Sequence, residues 1–209
     1  MAVKILSHRG YWRAAEEKNA KIAFDRSFEL GFGTETDVRD LAGALVISHD
    51  PPSGLDSLSL EKFLSWHSQY QSDLPLALNI KADGLAAHLN SLMKNRGPLD
   101  WFVFDMSIPD MRHHLAVGNP VFVRMSEYEQ SPPWIDRAQG VWLDAFDRDW
   151  YTTKDIERIL ETGLRVCIVS PELHKRPHLD LWAQIKPLRN QDRLLLCTDV
   201  PEAARDFFS

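Results

Sequence analysis

The sequence predicts a (β/α)8 barrel occupying residues 1–209 as one domain, and three observations lead there. Short apolar runs rich in Val, Ile, Leu and aromatics recur along the chain, as strands buried on both faces require. Stretches with helical spacing stand between most of them, the pattern of parallel strands joined by crossovers. The length, 209 residues, lies at the compact end of the ~200–250 such barrels need. A doubly wound open sheet would share the alternation and is the alternative architecture.

The strand candidates are residues 3–6, 33–38, 44–48, 76–80, 101–104, 121–123, 141–143, 164–169 and 194–197. Ala42-Gly43 between the second and third runs predicts a tight hairpin, so those two count as one unit and eight units remain. Ile22, Phe24, Phe28 and Leu30 form the first helical stripe, which Gly31 stops. Leu60, Phe63, Leu64 and His67 form a second; Leu85, Leu89, Leu92 and Met93 a third; Ile156, Ile159 and Leu160 another. Thr152 or Thr153 is placed to cap that last helix, which ends near Gly163, and Pro201 suits a first helical turn. Pro132-Pro133-Trp134 marks an irregular loop.

Composition narrows the function. With 24 Lys and Arg against 30 Asp and Glu, the net charge is −6. No basic face for nucleic acid is implied. No apolar run approaches the ~20 residues of a transmembrane segment, and the start lacks a signal-peptide core. A cytoplasmic protein is expected. Cys167 and Cys197 lie in separate apolar runs and are expected to be reduced thiols.

In a barrel the active site lies at the C-terminal strand ends. Those ends carry His8-Arg9-Gly10, Glu35-Thr36-Asp37, His49-Asp50-Pro51, Asn79-Ile80-Lys81, Asp105, Arg124, Asp144 and Asp199. Residues two apart on a strand share a face, so Glu35 projects with Asp37 and Asn79 with Lys81. Two neighbouring carboxylates suit a hard cation such as Mg2+ or Ca2+. His8 and His49 suit an acid–base pair near neutral pH. Arg9 and Lys81 suit a phosphate. His67, His113 and His114 fall on helical segments and read as packing, while His174 and His178 would at most touch substrate. The set points to phosphodiester cleavage.

The ordered series Ser7-His8-Arg9-Gly10, Glu17-Lys18-Asn19, Ala23-Phe24, Gly31, Glu35-Thr36-Asp37-Val38 and His49-Asp50-Pro51 resembles the glycerophosphodiester phosphodiesterases. The resemblance is close over the first quarter of the chain. Beyond it, Asn79-Ile80-Lys81, Gly163-Leu164-Arg165-Val166 and Cys197-Thr198-Asp199-Val200-Pro201 match more loosely. It implies a (β/α)8 barrel and divalent-metal-dependent hydrolysis of a small glycerophosphodiester to glycerol 3-phosphate and an alcohol. His8 and His49 would be the acid–base pair, Arg9 and Lys81 would bind phosphate, and Glu35 and Asp37 would hold the metal.

Four departures accompany the resemblance. Asn79 stands where the family has a third carboxylate ligand, offering a carbonyl oxygen but one charge fewer; Asp144 or Asp105 is available at a neighbouring strand end to restore it. Lys18 separates Glu17 from Asn19. Only 32 positions separate His49 from Lys81, too few for the cap many members insert. The tryptophan usual after the seventh strand is replaced by Val169-Ser170-Pro171. Two other readings remain: a phospholipase D-like lyase forming a cyclic phosphate, and a non-catalytic phosphate-binding barrel.

Overall fold

Alternating apolar runs and helical stripes close into a ring of parallel staves. The computed structural model describes residues 3–52, 57–70 and 73–209. Its strands are β1 (Lys4–His8), β2 (Gly33–Leu41), β3 (Ala44–Ile47), β4 (Leu76–Ile80), β5 (Trp101–Phe104), β6 (Phe122–Met125), β7 (Gly140–Leu143), β8 (Arg165–Val169) and β9 (Leu194–Thr198). They run in the order β5-β4-β2-β1-β9-β8-β7-β6, with β3 off the ring on β2. This is the predicted eight-unit barrel. β3 pairs antiparallel with the outer end of β2, from Val38 opposite Ile47 to Leu41 opposite Ala44. Ala42 and Gly43 make the turn with φ of 50° and 84°, both in the left-handed region that two-residue hairpins favour.

Seven parallel ladders are continuous. The eighth junction, β5 to β6, shows one isolated bridge, Val103 to Val121, among the described residues. The Val103 N–H donates to Pro120 O at 2.9 Å. Pro120 has no N–H to return, which helps keep the ladder from extending downward.

The helices are α1 (Lys21–Glu29), α2 (Leu60–His67), α3 (Ala86–Lys94), α4 (Ile108–Val117), α5 (Thr153–Glu161), α6 (Leu179–Ile185) and α7 (Pro201–Phe208). Thr152 caps α5 through a reciprocal box with Asp155. Ile22, read as part of the first buried stripe, is 54% exposed. Instead α1 presents Ala23, Phe24, Ser27 and Phe28 to the barrel. The small residues are needed because α1 lies very close to β1 and β2: Ser27 Oγ sits 2.7 Å from Ser7 Oγ and donates to Gly33 O at 3.0 Å. No helix of the described residues is long and apolar enough to cross a membrane.

Inward residues fill the ring. Leu6, Ala77, Phe102, Phe104, Phe122, Trp142, Cys167, Val169, Leu195 and Cys197 form its core, with both cysteines as free thiols. Phe102 stacks on Phe122 at 3.7 Å and Phe104 on Trp142 at 3.8 Å. Below them Asp100 receives two bonds from Arg165, at 2.7 and 3.1 Å, and one from Lys4 at 3.0 Å, tying β8 and β1 to the start of β5.

Burial alone would raise the Asp100 carboxyl, but the hydrogen bonds and charges of Arg165 and Lys4 hold it below its ordinary value. A depressed carboxylate contributes stability above its unfolded pKa of ~3.9, and that contribution is lost as pH falls through the folded value. Asp100→Asn is therefore expected to lose about 1–3 kcal/mol at neutral pH. Urea denaturation at neutral and acid pH checks this, since the deficit should narrow below about pH 4.

Candidate active site

The stave periodicity that turns the aromatic rings inward also turns His8, Glu35, Asp37, Asn79, Lys81, Arg124, Asp144 and Asp199 toward the mouth. Register sets the neighbours: His8 lies opposite Glu35, and Asp37 opposite Asn79. Glu35 and Asp37 are both buried. Arg9, at φ 58°, bends the chain after β1 so that its N–H donates to Glu35 Oε2 at 3.1 Å. Its guanidinium Nε lies 3.0 Å from Asp37 Oδ2, and Lys81 Nζ lies 3.5 Å from Asp37 Oδ1. Two carboxylates and two cations are thus brought together. Burial, then the Asp37 charge, pushes the Glu35 carboxyl up to about 7 against the opposing pull of His8, Arg9 and Lys81.

His8 stands beside this cluster. Its Nδ1 is 2.8 Å from Asp199 Oδ1 and its Nε2 is 4.0 Å from Glu35 Oε2. A carboxylate only accepts, so Nδ1–H is the donor and the neutral ring leaves Nε2 bare. His49 is placed differently. The Ser48 N–H donates to Asp37 O at 3.1 Å, bringing the end of β3 beside the mouth. There the half-exposed His49 donates from Nδ1 to Asp50 Oδ1 at 2.9 Å. No hydrogen bond or ion pair joins it to His8, Glu35 or Asp37 among the described residues.

The far side of the mouth is a separate group. Asp144 Oδ1 takes bonds from His174 Nε2 at 2.7 Å and Ala145 N–H at 2.8 Å, and no contact joins it to Glu35, Asp37 or Asn79 among the described residues. The Asp144 bond raises His174 above its ordinary value. Arg124 reaches Asp105 and Glu129, each at 3.0 Å. Asn79 Nδ2 donates to Asp105 Oδ2 at 3.4 Å. That contact turns Asn79 Oδ1 away from Asp105, buried and without a hydrogen bond among the described residues.

Three solved structures share the fold over 98–100% of the chain. A candidate glycerophosphodiester phosphodiesterase from Galdieria sulphuraria aligns at TM-score 0.77 and 18% identity, covering 100% of this chain and 98% of that one. The glycerophosphodiester phosphodiesterase of Agrobacterium tumefaciens aligns at 0.68 and 19%, covering 98% and 99%. The chain has the glycerophosphodiester phosphodiesterase fold. A Ca2+-dependent phosphatidylinositol-specific phospholipase C from Streptomyces antibioticus shares it more distantly, at 0.54 and 11% identity, covering 100% and 96%. No family sequence profile and no curated protein matches the chain.

Within this barrel, two residues join the candidate site that the sequence left without a role. Asn19, at φ 59°, donates from Nδ2 to Asp37 Oδ2 at 2.8 Å and accepts from Thr36 Oγ1 at 2.8 Å. Glu17 instead braces the loop, accepting from Arg13 N–H at 2.8 Å and Arg26 Nη1 at 2.9 Å. Asp199 is the second. Asp37 Oδ1 and Asn79 Oδ1 are buried and without a hydrogen bond among the described residues. With Glu35 they are oxygen donors of the kind a hard divalent cation takes, while no three His, Cys, Asp or Glu side chains gather to hold one among the described residues.

Proposed function

We propose that the chain is a metal-dependent phosphodiesterase that hydrolyses a glycerophosphodiester to glycerol 3-phosphate and an alcohol. The carrying observation is His8, bonded through Nδ1 to Asp199, beside a buried carboxylate pair that faces Arg9 and Lys81. Glu35, Asp37 and the Asn79 carbonyl would hold Mg2+ or Ca2+. The bound cation supplies neutralisation of the phosphoryl oxygens.

Arg9 and Lys81 bind the phosphodiester through their charge. His8 Nε2 takes a proton from water as the water oxygen bonds to phosphorus, and Asp199 stabilises the resulting imidazolium. The bond from phosphorus to the alcohol oxygen breaks, and protonated His49 gives that oxygen its proton. Glycerol 3-phosphate and the alcohol leave.

Turnover of a chromogenic phosphodiester with Mg2+ or Ca2+, against an EDTA control, tests the reading. Phosphorus NMR of the product separates hydrolysis from cyclisation, since a cyclic phosphate would show a substrate hydroxyl as the nucleophile. Asn79, one charge short of a carboxylate, favours the second reading, a barrel that binds phosphate without cleaving it; absence of metal-stimulated turnover by folded protein would establish that one. Asn79→Glu is expected to tighten metal binding roughly tenfold or more, because it adds a full charge at contact range. Calorimetry with Mg2+ alone checks it, and unchanged affinity removes position 79 from the ion's ligands.

A further inference from the structure

We propose that Glu172 is a positioning residue that holds Asp199 against His8 and so fixes which ring nitrogen of His8 faces the mouth. The inference rests on the reading of His8 as the base. Glu172 lies in the single helical turn Pro171–His174 that follows β8, where the expected tryptophan is missing. Both of its carboxylate oxygens are engaged. Oε1 accepts from the Asp199 N–H at 3.1 Å and from the Thr198 hydroxyl, while Oε2 accepts from the Ser170 hydroxyl.

The anchor behind it is rigid. Ser170 and Thr198 are fully buried. Ser170 Oγ accepts the Trp182 indole N–H at 2.8 Å, and Thr198 Oγ1 accepts the Val200 N–H at 3.1 Å. Glu172 therefore stitches the end of β8 to the end of β9 at the residue whose side chain holds His8. The stitch is made by a carboxylate beside Asp199, where another negative charge is electrostatically unfavourable. Its nearest basic group is His178, with Nδ1 3.6 Å from Oε2. The placement makes sense as geometry: one carboxylate accepts the Asp199 N–H and two hydroxyl donors at once, leaving the Asp199 side chain directed at His8 Nδ1.

Without this anchor Asp199 is free to swing away, and the His8 proton is no longer confined to Nδ1. The imidazole nitrogen-15 spectrum reads the tautomer directly on the full chain, at about pH 9 where ordinary imidazoles are neutral. Wild type is expected to show His8 as the Nδ1–H form, with His8→Asn identifying its signals. Glu172→Ala should at least halve that population, as Asp199→Ala should. Glu172→Gln, whose amide oxygen still accepts from the Asp199 N–H, should retain most of it. Glu172→Ala should also lower kcat roughly 10–100-fold with KM changed less than about twofold. If Glu172→Ala fails to fold, Glu172→Asp, one methylene short but still charged, carries the same expectation. A folded variant in which His8 stays Nδ1–H, while Asp199→Ala shifts it, overturns the proposal. A wild-type chain with the expected tautomer but no turnover overturns the phosphodiesterase reading alone.

Discussion

Replacing His8 with alanine is expected to lower kcat on a phosphodiester by about 10²–10⁴-fold, the range for loss of a positioned base. His8 has one nitrogen held 2.8 Å from Asp199 and the other 4.0 Å from Glu35 Oε2, the placement a positioned base needs. His49→Ala should cost at least ~10²-fold if His49 protonates the leaving oxygen. Steady-state kinetics with saturating metal checks both, with circular dichroism as the control for folding. Near-normal rates in both variants would remove the acid–base assignment. A large loss at His8 alone would leave Asp199–His8 as the operative pair and make the half-exposed His49 a rim residue.

Gly10→Ala is expected to be severe for a different reason. Gly10 has φ 81°, and a Cβ there would lie 2.7 Å from Ala23 Cβ and 2.9 Å from its carbonyl carbon. Neither atom belongs to a side chain that can rotate away. The left-handed backbone costs roughly 1 kcal/mol for alanine and overpacking about 1–3 kcal/mol. Together these lower Tm by roughly 5–15 °C for a chain of this size. Activity should fall further than stability, because the neighbouring Arg9 N–H is bonded to Glu35. A scanning-calorimetry shift under about 2 °C would mean that α1 retreats without cost. The same contact explains why His-Arg-Gly and Ala-Phe occur together in the sequence: they are the two sides of one close approach, joined by the Tyr11 N–H to Ala23 O at 2.9 Å.

The barrel was legible because strand and helix periods differ, and the alternation survives small errors at element ends. Two such errors have physical causes. β6 begins one residue later than expected because Val121, following Pro120, makes only the isolated bridge. α6 is a short helix between Pro177 and Pro187 and offered too few residues for a period to show. Within the site, Glu35, Asp37, Arg9 and Lys81 were legible from two-residue spacing and motif order. His49 was less so, because it follows a hairpin whose register the sequence does not reveal. Asn19 and Asp105 escaped periodicity altogether. Phe104 faces inward, so Asp105 should face out, but its φ of 63° redirects it to Arg124 and Asn79. The partnership of Asp199 with His8 was available in principle, since the last stave of a closed ring must lie beside the first.

The junction of β5 and β6 sets how the ring can move. Seven junctions are ladders, whose directional bonds lock each stave's register. At the eighth, among the described residues, the single Val103 bridge is joined by the Arg124–Asp105 ion pair at 3.0 Å and by stacked faces: Phe102 against Phe122 at 3.7 Å, with the Arg165 guanidinium carbon within 5.9 and 5.5 Å of the two ring centres. These contacts hold side chains, not backbone, so this junction can open with fewer backbone hydrogen bonds broken than any ladder. The seam therefore acts as an expansion joint. Amide exchange should be faster along it than along any of the seven ladders.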